Sequence, residues 1–253
     1  MITKRTLGWT AASLAAAGLL YAERDGLRSL LPTPTAPRIR TTYRYFAQVY
    51  NPAAWLMLFG QERPIRRRVV ELAGLKPGDV VLDLACGTGA NFPFILSHIG
   101  STGKLIGLDY TPEMLHYAQE QIRSAGWSNV TLLRGDAAQL SLQQIAAVVP
   151  AATQGVDAVI STFAFCVIPG WEQALTRAVD VLKPGGRLVV GDVKLSKRPV
   201  MRPFNLVADL LGGAAAGDLG RRPWQRFPDL LGDVTFEERF FGFFYVASGC
   251  KQI

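Results

Sequence analysis

Three acids in the middle of this 253-residue chain each follow a short apolar run, and one of them leads into a glycine turn. Asp83 closes Val80-Val81-Leu82 and runs on into Leu84-Ala85-Cys86-Gly87-Thr88-Gly89. Asp109 closes the run KLIGLD, about twenty residues past that turn, the spacing at which an acid on the next strand reaches ribose hydroxyls in βαβ nucleotide sites. Asp136 lies in Gly135-Asp136-Ala137, after the apolar stretch Val130–Leu133. Gly87 and Gly89 let the chain turn sharply and bring backbone amides close to a ligand. The chemistry on offer is recognition of a nucleoside-like molecule by carboxylate acceptors and backbone N–H groups. A dinucleotide fingerprint is excluded, because Phe92 holds the third glycine position, and no Lys-Ser/Thr follows to make a P-loop.

The elements that must position these acids alternate between strand and helix. Val80–Leu82, Lys104–Asp109, Val130–Leu133 and Asp157–Ser161 read as strands buried on both faces. Val181–Asp192 supplies a helix end, a Pro184-Gly185-Gly186 turn and a fifth strand. Thr111 is placed as the N-cap of a helix with Pro112 in its first turn. In such an open α/β sheet, ligands bind outside the carboxyl ends of the strands, where all three acids fall.

The form acid-x-x-x-Gly-x-Gly, with the ordered pieces that follow it to Leu195, closely resembles class I S-adenosylmethionine-dependent methyltransferases. The resemblance implies a Rossmann-like α/β fold, with a mostly parallel sheet, a C-terminal antiparallel hairpin and helices on both faces. It implies that Asp83, Ala85, Cys86, Gly87, Thr88, Gly89 and Asn91 hold the amino-acid end of the cofactor. Asp109 and Tyr110 fall at its ribose, Asp136 and Ala137 at the adenine edge, and Met114 and Phe163 against the ring faces, with Ser161 at the end of the fourth strand. Cys86 reads as a small residue filling a tight turn. Val234–Cys250 fits the terminal hairpin, with its turn near Phe241-Gly242.

Composition agrees and narrows the field. Hydrophobic residues make up 49% of the chain, enough for one large core. Cys86, Cys166 and Cys250 form neither a disulfide framework nor a metal pair, and His98 and His116 are too few for a metal cluster. The net charge of +7 is not arranged as a basic stripe with interleaved aromatics, so nucleic acid is set aside as a partner. Arg63, Arg66, Arg67 and Arg68 form one basic cluster, and Arg221, Arg222 and Arg226 another. They read either as contacts to an anionic membrane or as solvated helix faces.

Residues 1–31 read as an apolar helix and 32–40 as a stiff linker containing Pro32, Pro34 and Pro37, with the enzyme domain over 41–253. Lys4 and Arg5 precede a run without charge from Leu7 to Ala22. As a helix the run would be about 24 Å long, short of the roughly 30 Å hydrocarbon core. A membrane anchor or interfacial helix is the first expectation, which places the enzyme on the cytoplasmic side of a membrane. A helix packed on a soluble cytoplasmic domain is the alternative, and a secretory signal ranks below both.

Two segments are left for the substrate. Thr41–Gly60 carries Tyr43, Tyr45, Phe46, Tyr50, Trp55 and Phe59. Its run YFAQVYN resembles the opening helix of UbiE-like quinone and phospholipid methyltransferases, which usually carry Tyr-Asp where this chain has Tyr50-Asn51. Arg198–Leu231 is an apolar insertion with glycine hinges at 212–217, suited to a lid. The Tyr43–Phe59 helix and Phe204–Leu211 are expected to face each other above the glycine turn and enclose the acceptor between apolar walls. Tyr43, Tyr50 and Asp192 are the candidate bases. The first-ranked acceptor is a phospholipid head-group amine, then a quinone or phenol, then a thiol. A non-enzymatic scaffold ranks last, since it would not need the full set of acids and glycines.

Overall fold

Each apolar run becomes a strand whose alternate side chains feed two separate cores. The computed structural model describes residues 35, 37–39, 41–42, 58–201, 204–205, 207–209, 212 and 217–252. The expected anchor of residues 1–31 lies outside them, as do Tyr43, Tyr45, Tyr50 and Trp55. No described helix is long and apolar enough to cross a membrane.

Five parallel strands run β1 (Val80–Leu84), β2 (Lys104–Asp109), β3 (Val130–Arg134), β4 (Val156–Thr162) and β5 (Leu182–Val193). β7 (Phe244–Cys250), antiparallel to its neighbours on both sides, and β6 (Gly232–Arg239) beyond it complete one sheet in the order β3-β2-β1-β4-β5-β7-β6. The expected terminal hairpin is present, and its turn spans Phe240–Gly242.

In β1, Val81 points into one core with Ile65 and Val69 of α1 (Glu62–Ala73), Phe92 and Ile95 of α2 (Phe92–Ile99) and Ala118 of α3 (Pro112–Ala125). Val80, Leu82 and Leu84 point the other way, toward Ile145 of α4 (Leu142–Val148) and Leu175 of α5 (Trp171–Asp180). This period of two follows from the pleat. Each aliphatic side chain so buried contributes roughly 1.5–3 kcal/mol.

Three expectations change. Pro37–Ile39 is helical and Ile39 is buried, so the last part of the predicted linker belongs to the domain. Arg66 and Arg68 do not form a membrane-facing patch. Arg66 is only 4% exposed, and Arg68 pairs with Glu71 and Glu237. Arg221 likewise turns inward and donates to the carbonyls of Phe165 and Ile168. Thr111 does start α3, but its hydroxyl turns to Asp109 and does not cap the helix.

Candidate active site

The strand order reverses between β1 and β4, and a cleft of about 990 Å³, open mouth included, lies at the carboxyl ends of these strands. Its floor is the loop Ala85–Ala90. One wall is Leu108–Thr111 with Met114, and the next is Gly135–Ala137. The opposite side is Thr162–Ala164 and Val167–Pro169, and Ile39 and Arg66 reach in from outside the sheet.

Asp109 ties floor to wall. One of its carboxylate oxygens accepts from the Gly87 amide and the other from the Thr111 amide, each at 2.8 Å. The Thr111 hydroxyl also turns to this carboxylate, which lines the cleft. Burial raises its pKa, against the amides of Thr111 and Gly87, which hold it down. Asp136 uses one oxygen to cap the short helix that starts at Ala137, accepting from the Ala138 amide at 2.9 Å.

Two residues without glycine's freedom hold left-handed backbone at this edge: Ala85 at φ 56° and Phe163 at φ 55°. They follow the neighbouring strands β1 and β4 on either side of the switch point. Such strain persists only where surrounding contacts impose it.

The contacts that impose it form a buried polar chain. Arg66 pairs with Glu62 one turn back at 2.9 Å and donates to the Asn91 side-chain oxygen at 2.9 Å and to the Thr162 hydroxyl. The Asn91 amide nitrogen donates to Asp83 at 2.8 Å and to Thr162 at 3.0 Å. The Arg66 guanidinium also lies 5.2 Å from the Phe163 ring centroid, in cation–π range. The second Asp83 oxygen is buried without a hydrogen-bond partner. Burial pushes the Asp83 pKa up to about 7, while Asn91 and Arg66 pull it down.

The expected contact residues separate into two groups. Ala85, Cys86, Gly87, Thr88, Asp109, Tyr110, Met114, Asp136, Ala137 and Phe163 line the cleft. Asp83, Gly89, Asn91 and Ser161 lie behind it. Asp83 and Asn91 belong to the buried chain, and Ser161 donates to the Leu84 carbonyl at 2.9 Å. An added Cβ on Gly89 would come within 2.7 Å of the Phe92 ring. Cys86 is buried, and burial raises its thiol pKa well above the usual value.

Asp192 is not presented to a substrate. It is 1% exposed, accepts from the amides of Cys166 and Val193 at 3.0 and 2.7 Å, and fixes the loop above β4. Burial lifts its pKa to about 6, against those two amides. Its candidacy as a base is withdrawn on that geometry. Arg66, Glu62 and Thr162 were not expected in the site.

The glycines predict separable losses. At Gly87 (φ 56°) an added Cβ would meet nothing within 4 Å, so the missing side chain leaves open space in the cleft. Gly87→Val is expected to abolish cofactor binding in calorimetry, with a backbone penalty of roughly 1–2 kcal/mol. Gly89→Ala is expected to lower the melting temperature by forcing Phe92 aside. Equal cofactor affinity for Gly87→Val and wild type would overturn this reading of the floor.

The two raised carboxyls also set a pH dependence. Asp83 and Asp192 are ordinary acids when unfolded, at a usual value of 3.8, and hold their protons up to about 7 and 6 when folded. Between those values the native state binds more protons than the unfolded state. The stability they confer is therefore full below the unfolded value and is lost as pH rises, at up to about 1.4 kcal/mol per pH unit for each group. Urea unfolding across that window should show a fall that is shallower in Asp83→Asn. An unchanged slope in the variant would count against a protonated Asp83.

A parallel sheet that reverses between β1 and β4, carries one antiparallel strand, β7, between β5 and β6, and holds its cleft at the reversal defines the Rossmann-like methyltransferase class. The sequence profile of the ubiE/COQ5 methyltransferase family matches residues 35–210, and the chain belongs to that family. It is 28% identical over 203 residues to a demethylmenaquinone methyltransferase of Desulfitobacterium hafniense (strain Y51), covering 78% of this chain and 77% of that one. It is 28% identical over 192 residues to the demethylmenaquinone methyltransferase of Staphylococcus aureus (strain MRSA252), covering 74% and 75%. In fold it is similar to a SAM-dependent methyltransferase from Aquifex aeolicus, with a TM-score of 0.56 and 21% identity over 82% of this chain and 98% of that one. The protein is an S-adenosylmethionine-dependent methyltransferase. The cleft fits that cofactor: Gly87 leaves a cradle that a Cβ would fill, and the Asp109 and Asp136 carboxylates stand on its walls.

Proposed function

We propose that this enzyme methylates a quinone-type or phenolic ring, at carbon or oxygen. The observation that carries the reading is the ubiE/COQ5 match over 35–210, with relatives named demethylmenaquinone methyltransferase. It moves the ring acceptor ahead of the phospholipid amine that ranked first from the sequence. The cleft supports it with apolar walls at Ile39, Val167, Ile168 and Pro169, which suit a flat apolar molecule.

In this reading Asp109 accepts from the ribose hydroxyls. Asp136 accepts from the adenine amino group, and the Ala137 amide faces a ring nitrogen. Met114 and Phe163 lie against the adenine, and the backbone of Ala85–Thr88 holds the amino-acid end. The bound donor supplies a methyl group already activated on a sulfonium. The chain's own residues then bind, align and exclude water. A phenol, or a ring carbon that gains a methyl, must lose a proton. Tyr43 and Tyr50 remain the proposed bases.

The test offers labelled methyl donor to the enzyme with a reduced prenylated naphthoquinone, with phosphatidylethanolamine and with a small alkyl thiol. Label in the naphthoquinol is the expected result. Label confined to phosphatidylethanolamine would restore the head-group amine and overturn the ring acceptor.

A further inference from the structure

At four of the described residues after β5, burial runs against polarity. Asn205 is fully buried and Asp209 is 8% exposed, whereas Phe204 and Val207 are 56% and 54% exposed. Helical spacing accounts for both pairs, since residues three or four apart share a face. The segment was expected to turn its apolar side chains into an acceptor pocket, and at Phe204 and Val207 it does the opposite. Asn205 is held by Ser196, accepting from its amide at 2.9 Å and donating to its carbonyl at 2.8 Å. At these positions a buried polar pair lies opposite an exposed apolar pair, the reverse of the usual arrangement.

The face extends beyond that segment. The Ser196 hydroxyl donates to the Phe241 carbonyl at 2.7 Å, which brings the segment against the β6–β7 turn. There Phe241 is 56% exposed, and Phe240 stacks on Phe59, itself 66% exposed. Phe240, Phe241 and Phe59 all have positive φ, so these turns hold their rings at local cost. Ring contacts link the face to the cleft lining: Phe240 meets Phe244 edge-on at 5.9 Å, and Phe244 meets Phe163 at 6.3 Å.

Its charge identifies the partner. Lys197 and Arg198 are exposed and have no ion pair among the described residues. The acids of neighbouring β6 are already matched, Glu237 by Arg68 and Arg239 and Glu238 by Lys194. We propose that this face docks on an anionic phospholipid bilayer. Phe204, Val207, Phe59 and Phe241 enter the boundary between head groups and acyl chains, and Lys197 and Arg198 meet the head groups. The proposal goes beyond the ring-methylation reading and is tested without any acceptor.

The experiment measures co-sedimentation of the full chain with phosphatidylcholine vesicles, with and without phosphatidylglycerol. Phe204→Ser/Val207→Ser is expected to lower partition about tenfold or more, by removing two interfacial side chains. Lys197→Glu and Arg198→Glu are each expected to weaken binding to phosphatidylglycerol vesicles about fivefold and to spare the neutral ones. Cofactor binding by calorimetry should be unchanged in all of them, because these residues lie outside the cleft. Partition equal to wild type in the apolar double variant overturns the proposal, whether residues 1–34 then carry the binding or none occurs. Unchanged partition with loss of a dimer in sedimentation would make the face a contact between two copies, which also overturns it.

Discussion

Arg66→Met is expected to lower the unfolding free energy by about 3–5 kcal/mol, the usual result of removing one partner from a buried ion pair. Methionine fills much of the same volume, so the loss isolates charge and hydrogen bonding from packing. It would strand Glu62, leave the Asn91 oxygen without its charged donor and remove the cation above Phe163. It would also remove the positive charge that pulls the Asp83 pKa down, so the upper end of the pH window of lost stability should rise. Adding Glu62→Gln should recover part of the loss, because the stranded charge goes with it. Urea unfolding of the two single variants and the double variant measures this. A loss under about 1 kcal/mol for Arg66→Met would mean the chain of contacts is not what holds this edge of the sheet.

Asp109→Ala is expected to weaken cofactor binding by about 2–4 kcal/mol, the worth of a charge-assisted acceptor pair. The same carboxylate holds the amides of Gly87 and Thr111, so the variant also leaves two N–H groups without an acceptor and loses stability. Asp109→Asn separates the effects, because one carbonyl oxygen can still serve one amide. If the residue only braced the loop, the folded fraction of Asp109→Asn would bind cofactor like wild type. If it also meets the ribose, affinity falls even where the melting temperature is largely kept. Calorimetry beside a thermal melt decides, and wild-type affinity in Asp109→Ala would end the ribose assignment.

The sheet was legible because its signals are local. Apolar runs ending in acids and a glycine turn each specify an element without reference to the rest, whereas the Pro184-Gly185-Gly186 turn expected before β5 lies within that strand as an irregularity of its pairing with β4. The cleft-lining acids and Gly87 were legible for the same reason. What escaped was pairing across distance. Arg66 was grouped by charge with its sequence neighbours, yet helical periodicity puts it on the same side of α1 as Glu62, Ile65, Val69 and Ala73. Counting by 3.6 would have marked an arginine on an apolar face four residues after an acid. Asp192 misled in the opposite sense. An acid at a strand end resembles the others, and only the Cys166 amide, brought over it by a loop from β4, shows that it is occupied. The exposed Phe204 and Val207 gave no warning, since apolar residues in an insertion are read as core until their burial is known.

The left-handed pair at Ala85 and Phe163 has a consequence for motion. Neither residue prefers its conformation, so neither loop would keep its shape alone. Both borrow it from one network: Phe163 from the cation above its ring, and the Ala85 turn from the Asp83–Asn91 contact. Local opening should therefore involve both loops together. Their amides should exchange with solvent deuterium as one cooperative unit, faster than the central strands, and a ligand that tightens either loop should protect the other.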